Sequence, residues 1–308
     1  MPCSRRETGL PRMPRARTLL LAAFCIFLVA PAPASARILR VVASFTVLAD
    51  VVREVGGEHV AVKSLVGPNG DPHEFSPTPD DARALKEADV SFVSGEGLEG
   101  WFQRLAEAAG AKARPVVASA GIATFEVDED GRRATDPHVW NDAANVVAWV
   151  ANIEAALEAA DPEDAPAFKA NAARYAAELQ ALDADARGRI AAIPQERRRV
   201  LTSHAAFGYF ARAYGVTFLA PVGVSTEAEP SARGIAAMIS QIRRAGVKVY
   251  FIENSNDPRL VKQVARATGA LPGGELFAES LSPPDGPAPT YAKMFRRNVD
   301  LMVEAMVK

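Results

Sequence analysis

The chain has 308 residues, 49% of them hydrophobic, with 35 basic and 37 acidic side chains. That length and apolar content suffice for one large core or two medium ones. The near-neutral balance lacks the basic excess of a nucleic-acid-binding protein.

At the N-terminus, Arg5, Arg6, Arg12, Arg15 and Arg17 precede an apolar run over residues 19–30 and the small-residue end Ala32-Pro33-Ala34-Ser35-Ala36. A charged start, a short apolar middle and an A-x-A end predict a secretory signal peptide over residues 1–36. The run is too short for a membrane span, which needs roughly 20 apolar residues. Phe24 before Cys25 does not fit a lipid-anchor site, so the expectation is a free periplasmic protein starting near Arg37. Loss of that segment removes five Arg and one Glu, leaving 30 basic against 36 acidic groups, and it removes both cysteines, Cys3 and Cys25. Any metal site in the mature chain is then built from His and carboxylates.

From residue 37 onward, short apolar runs alternate with helical patterns. Strands are expected at 38–44, 60–66, 90–94 and 115–119, with helices from Phe45 to Gly56, over 80–88 and over 101–110. A second half repeats the scheme, with strands at 199–202, 216–219, 248–252 and 275–278. Its helices are expected at 205–214, 231–245, 258–268 and 291–307. This alternation predicts an α/β fold of two lobes, residues 37–160 and 196–308, each with a mostly parallel sheet flanked by helices. Between them, residues 141–159 and 162–192 have helical spacing. The second stretch, capped by Asp161-Pro162, would run about 45 Å and join the lobes as a rigid helix over 161–195. The acidic residues 126–131 read as an exposed loop.

The four histidines are His59, His73, His138 and His204. His59 sits in a turn and reads as a surface imidazole. His73 follows a Gly/Pro turn after a strand, His138 precedes a helix that Asn141 or Asp142 can cap, and His204 stands between a strand and a helix. Ligands of parallel α/β sheets bind beyond the carboxyl ends of strands, so a shared site for these three is expected. Glu279, at the end of the last strand, is the fourth candidate. Three imidazoles and one carboxylate suit tetrahedral zinc and not calcium or magnesium. Glu253 and Asn141 are candidates for hydrogen-bonding the far ring nitrogens of the ligands. A zinc hydrolase with Glu279 or Glu253 as base is the enzymatic alternative, but no two-His helix motif or nucleophile signature supports it.

Five segments carry a resemblance. They are Gly67-Pro68-Asn69-Gly70-Asp71-Pro72-His73-Glu74-Phe75, Asp136-Pro137-His138-Val139-Trp140-Asn141, Thr202-Ser203-His204-Ala205-Ala206-Phe207-Gly208-Tyr209, Phe251-Ile252-Glu253-Asn254 and the stretch from Thr290 to Val299. In this order they resemble the metal-binding periplasmic solute-binding proteins of ABC transporters, the ZnuA/TroA/AztC-like group. The resemblance implies two lobes on one backbone helix, metal at their interface, and His73, His138 and His204 as ligands. It also implies a non-enzymatic monomer that delivers its ion to an ABC permease, with a periplasmic zinc chaperone as a further partner. The manganese branch usually places Glu where His204 stands, which favours Zn2+ over manganese or iron(II). The fourth ligand of the group is usually Asp; Glu279 departs from that, with Asp285 and Glu275 as nearby substitutes. Residues 125–136 stand where zinc proteins of this group often carry a His-rich loop, and they contain no His.

Overall fold

The computed structural model describes residues 1–4, 9, 37–129, 131–228 and 230–308. Most of the expected signal peptide, Cys25 included, therefore lies outside the described residues. Residues 37–308 form one unit. Its first half runs β1 (Leu39–Ala43), α1 (Thr46–Gly56), β2 (Val60–Ser64), α2 (Pro79–Glu87), β3 (Val90–Val93), α3 (Phe102–Ala109) and β4 (Val116–Val117). The strands pair in parallel in the order β2-β1-β3-β4. β1 is buried along nearly its whole length, as a strand covered on both faces must be. Helix α2 starts on a capping box, with Thr78 and Asp81 satisfying each other's backbone N–H and Pro79 in the first turn.

Next come an antiparallel hairpin, β5 (Glu126–Glu129) and β6 (Arg132–Thr135), and two helices, α4 (Ala143–Ala160) and α5 (Ala165–Ala191). The second half then repeats the first with β7 (Arg199–Leu201), α6 (Gly208–Tyr214), β8 (Thr217–Leu219), α7 (Ala232–Ala245), β9 (Val249–Glu253), α8 (Arg259–Thr268) and β10 (Leu271–Leu276). Its parallel order, β10-β9-β7-β8, is the first sheet's order again, strand for strand. In both sheets the chain turns from one side of the first strand to the other. The crevices beyond β1/β3 and β7/β9 are therefore topological switch points, where α/β sheets place ligands. Helix α9 (Tyr291–Val307) closes the chain.

Helix α5 is the spine. Its 27 residues span about 40 Å, and Phe168, Ala172, Tyr175, Leu179, Leu182, Ala186 and Ile190 recur at intervals of three and four, all buried. This stripe packs on α1, α4 and α9 in a core that continues from the first sheet into Phe210, Phe251 and Phe277 of the second half. A smaller cluster, with Leu201, Ile242, Val261 and Val264, fills the space under α7 and α8. No helix among the described residues is long and apolar enough to cross a membrane.

Several expectations need correction. The long helix begins at Ala165, not at Pro162, because Asp161 ends α4 and its carboxylate accepts the Glu163 N–H at 3.2 Å, which turns the chain. Asp164 then stands at the helix start, with Pro166 in the first turn. His59 is not a free surface ring: its Nδ1 lies 2.7 Å from Asp164, and it packs edge-on against Phe168. The acidic residues 126–129 form strand β5, and Glu129 Oε1 accepts the Ser225 N–H at 3.2 Å. The last strand is Leu271–Leu276, so Glu279 lies past its end. No helix starts directly after His204; α6 waits until Gly208, because His204 bridges to Val222 and the Ala205 N–H donates to Gly223 O at 3.1 Å.

Candidate metal centre

Two of the candidate histidines occupy the same local frame. Asp71-Pro72-His73 and Asp136-Pro137-His138 are identical triplets, and in each the Asp Oδ1 accepts the backbone N–H of the His, at 2.7 Å and 3.0 Å. This short Asx-type turn points the imidazole away from the chain. Trp101 fixes the first loop by donating to Pro72 O at 2.8 Å, and Trp140 fixes the second by donating to Ala278 O at 2.8 Å. His204 leaves the end of β7. Glu279 leaves the segment after β10, which Thr46 Oγ1 holds by accepting the Leu281 N–H at 2.9 Å.

The structure brings the four side chains together. His73 Nε2 and His204 Nε2 lie 3.2 Å and 3.3 Å from His138 Nε2. Glu279 Oε2 lies 3.4, 3.6 and 3.3 Å from the Nε2 atoms of His73, His138 and His204. A regular tetrahedron around zinc, with arms of about 2.0–2.2 Å, has edges of about 3.3–3.6 Å. The extra methylene of Glu279 thus leaves a regular arrangement. All four residues are buried, His73 at 6% exposure and the others at 1% or less. Asp285 and Glu275 do not belong to this cluster, the one group of its kind among the described residues.

Carboxylates set the ring tautomers. Asp136 Oδ1 faces His138 Nδ1 at 2.9 Å, and Glu253 Oε2 faces His204 Nδ1. Each carboxylate accepts the Nδ1 hydrogen, which leaves a lone pair on Nε2. Glu253 Oε1 also accepts the N–H groups of Ser203 and His204, at 2.8 and 3.2 Å. Glu99 makes the same arrangement at the other switch point, accepting from Ser44 Oγ, Ser94 N and Gly95 N. Asn141, expected to touch a ligand ring, instead donates to Ala206 O at 2.9 Å and Ala278 O at 3.2 Å. It ties the His204 segment to the Glu279 segment through the backbone, sharing Ala278 O with Trp140.

The charges of the four residues are coupled. Burial alone would drive protons off His204, yet Glu253 and Glu279 hold its pKa well above the usual value. Burial acts the same way on His138, and its contacts with Asp136 and Glu279 outweigh it. Burial would raise Glu279, but His204 and the contacts with His138 and His73 hold it well below the usual carboxylate range. Glu279 Oε2 is buried without a hydrogen bond. Neutral imidazoles would therefore direct acceptors from all four residues at one point, which is the electrostatic description of a cation site. A cleft of about 770 Å³, lined by Asp71, Ser203, His204, Thr226, Ser255 and Asn256, adjoins it.

Residues 41–305 match the family model of the periplasmic component A of zinc-uptake complexes. The chain belongs to this family. Relatives of the chain include the iron-binding protein YfeA of Yersinia pestis, 33% identical over 273 residues, covering 88% of this chain and 87% of that protein. The manganese-binding lipoprotein MntA of Bacillus subtilis is 32% identical over 274 residues, 87% of this chain and 90% of that protein. The solved periplasmic zinc-binding protein TroA of Treponema pallidum superposes with a TM-score of 0.81 at 30% identity, covering 86% of this chain and 98% of that one. Component A proteins are substrate-binding parts of metal importers, not enzymes, and this chain binds a metal ion as its transported substrate.

Asp136, Ser255 and Asn256 escaped the sequence reading. The repeated Asp-Pro-His triplet was a usable signal for Asp136. Asn256 Nδ2 donates to Glu253 Oε2 at 2.8 Å, and Ser255 Oγ donates to Glu279 Oε1 at 3.0 Å.

Proposed function

We propose that this chain captures zinc(II) in the periplasm through His73, His138, His204 and Glu279 and passes it to the permease of an ABC importer. The observation that carries the reading is the tetrahedron of three imidazole nitrogens and one carboxylate oxygen, with five of its edges at 3.2–3.6 Å. Imidazole-rich four-coordinate sites suit zinc, whereas manganese favours six ligands with more oxygen. Four protein donors leave no open position for a reacting water, which argues against a hydrolase.

Residues 1–36 act as the signal peptide, and the mature chain starts at Arg37, two residues before β1. It works as a free monomer, with Phe24 before Cys25 in place of the small residue a lipid anchor requires. Residues 37–160 and 196–308 serve as lobes about a spacer at 161–195. The ion enters and leaves through the cleft beside His204. A periplasmic zinc chaperone is a partner consistent with loading without a His-rich loop. Because α5 is long and packed on both sides, release needs only small movements near the cleft.

Iron and manganese in the names of YfeA and MntA favour a second reading, an iron(II) or manganese(II) carrier. Competition titrations of the metal-free protein with zinc, manganese and iron(II) separate the two. Tighter binding of manganese or iron(II) than of zinc would overturn the zinc assignment and leave the capture role intact.

A further inference from the structure

Three consecutive residues after β9 each hold a different part of the metal centre. Asn254 Nδ2 donates to Asn69 Oδ1 at 2.9 Å and to Ser280 O at 3.1 Å, which ties the loop before His73 to the segment carrying Glu279. Asn256 braces Glu253, and through it His204. Ser255, between them, touches the fourth candidate ligand directly.

The two oxygens of Glu279 have different surroundings. Oε2 faces the three imidazole nitrogens at 3.3–3.6 Å and makes no hydrogen bond. Oε1 accepts a hydrogen bond from Ser255 Oγ at 3.0 Å. The hydroxyl holds Oε1 on its own side, so chelating an ion through both oxygens requires the carboxylate to turn Oε1 inward beside Oε2 against that contact. We propose that Ser255 fixes Glu279 as a one-oxygen ligand, which closes the coordination shell at four and selects zinc over manganese(II).

This inference rests on the zinc-capture reading and adds to it a residue that decides between metals. The reasoning is geometric. A fifth donor would crowd a tetrahedron whose edges are already at the contact distance of its ligands, and it is what a manganese ion needs to approach its preferred higher coordination. A hydrogen bond to a charged oxygen is worth about a tenfold to hundredfold change in an equilibrium, enough to set the choice between one and two oxygens. Ser255 is half-buried and also lines the cleft. It therefore stands where water or a fifth ligand would enter once the hydroxyl is gone.

The test compares the parent protein with Ser255→Ala and Ser255→Thr, each loaded with cobalt(II) for its visible spectrum and titrated with zinc and manganese against a competing chelator. Four-coordinate cobalt absorbs strongly, and five- or six-coordinate cobalt weakly. We expect a strong band in the parent, a weakened band in Ser255→Ala with a zinc-to-manganese affinity ratio lowered about tenfold, and parent behaviour in Ser255→Thr, which keeps the hydroxyl. A Ser255→Ala protein with the parent's band and ratio would overturn the assignment. So would a weak, higher-coordinate band in the parent, although metal capture would then still stand. A parent that binds no transition metal would instead remove the capture reading, and the titration shows this before any variant is made.

Discussion

Glu253 holds His204 from two sides: its Oε2 takes the ring Nδ1 hydrogen, and its Oε1 accepts the backbone N–H of the same residue at 3.2 Å. The ring cannot rotate or change tautomer without breaking one of these contacts, so Nε2 stays aimed at Glu279 Oε2, 3.3 Å away. Replacing Glu253 by Gln removes the charge and weakens the acceptor. We expect zinc affinity to drop about 10–100-fold with an unchanged far-ultraviolet circular dichroism spectrum, measured by chelator competition. Unaltered affinity would reject the orienting role.

Glu279 is the single anion among the four donors, and its loss leaves three neutral imidazoles facing a dication. Glu279→Ala should weaken zinc binding at least about tenfold, or 1.4 kcal/mol. Asp285 is exposed, outside the cluster, and Asp285→Ala should leave binding as it was. The reverse pattern in isothermal titration would move the fourth ligand to Asp285.

Zinc has to displace protons to bind. The pKa values of His204 and His138 are held above the usual imidazole value, so the metal-free site keeps its protons to higher pH than free imidazoles do. Binding should therefore release protons, and apparent affinity should fall as the pH drops and rise as it climbs. Titrations in buffers of differing ionisation enthalpy give the proton count directly. A count of zero between about pH 6 and 8, the range in which imidazoles titrate, would contradict these shifts.

His73, His138 and His204 could be read from the sequence because imidazoles are scarce in this chain and each stands where a strand or turn gives way to a helix, and Glu279 because it follows the last strand before a Pro/Gly loop. The doubly wound halves were legible for a related reason: buried parallel strands are short apolar runs, and the helices between them have their own period. What supports the ligands was not legible. Ser255 reaches a partner 24 residues away and Asn254 one 185 residues away, and no local spacing encodes such contacts. Asp161-Pro162 shows the opposite failure. Its local chemistry suits a helix start, but the same carboxylate also suits the turn that ends α4, and three residues on Asp164-Ala165-Pro166 begins the helix. The hairpin at 126–135 was hidden because its strands are charged, and Glu129 is anchored by a backbone N–H far along the chain.

Asp50 offers a test of stability independent of the metal. It lies buried on α1, where its Oδ2 accepts the N–H of Tyr291, the first residue of α9, at 2.7 Å. Burial raises its pKa from 3.8 to about 6; the Tyr291 contact only partly offsets that, and Glu54 adds to it. The folded protein thus holds this proton more firmly than the unfolded chain does. Below about pH 4, the ordinary range of an Asp carboxyl, both states are protonated and Asp50 costs nothing. Between there and about pH 6 the unfolded chain ionises first, and stability from this residue falls as pH rises. At neutral pH the cost is on the order of 2–3 kcal/mol. Asp50→Asn keeps an oxygen for Tyr291 and removes the buried charge, while giving up about 0.3–1 kcal/mol of favourable charge at the start of α9. We expect the variant to melt several degrees higher near pH 7, with the gain shrinking toward pH 4. Calorimetry across that range decides the matter, and a variant that is less stable than the parent at pH 7 would mean that the ionised carboxylate at the α9 start outweighs its burial.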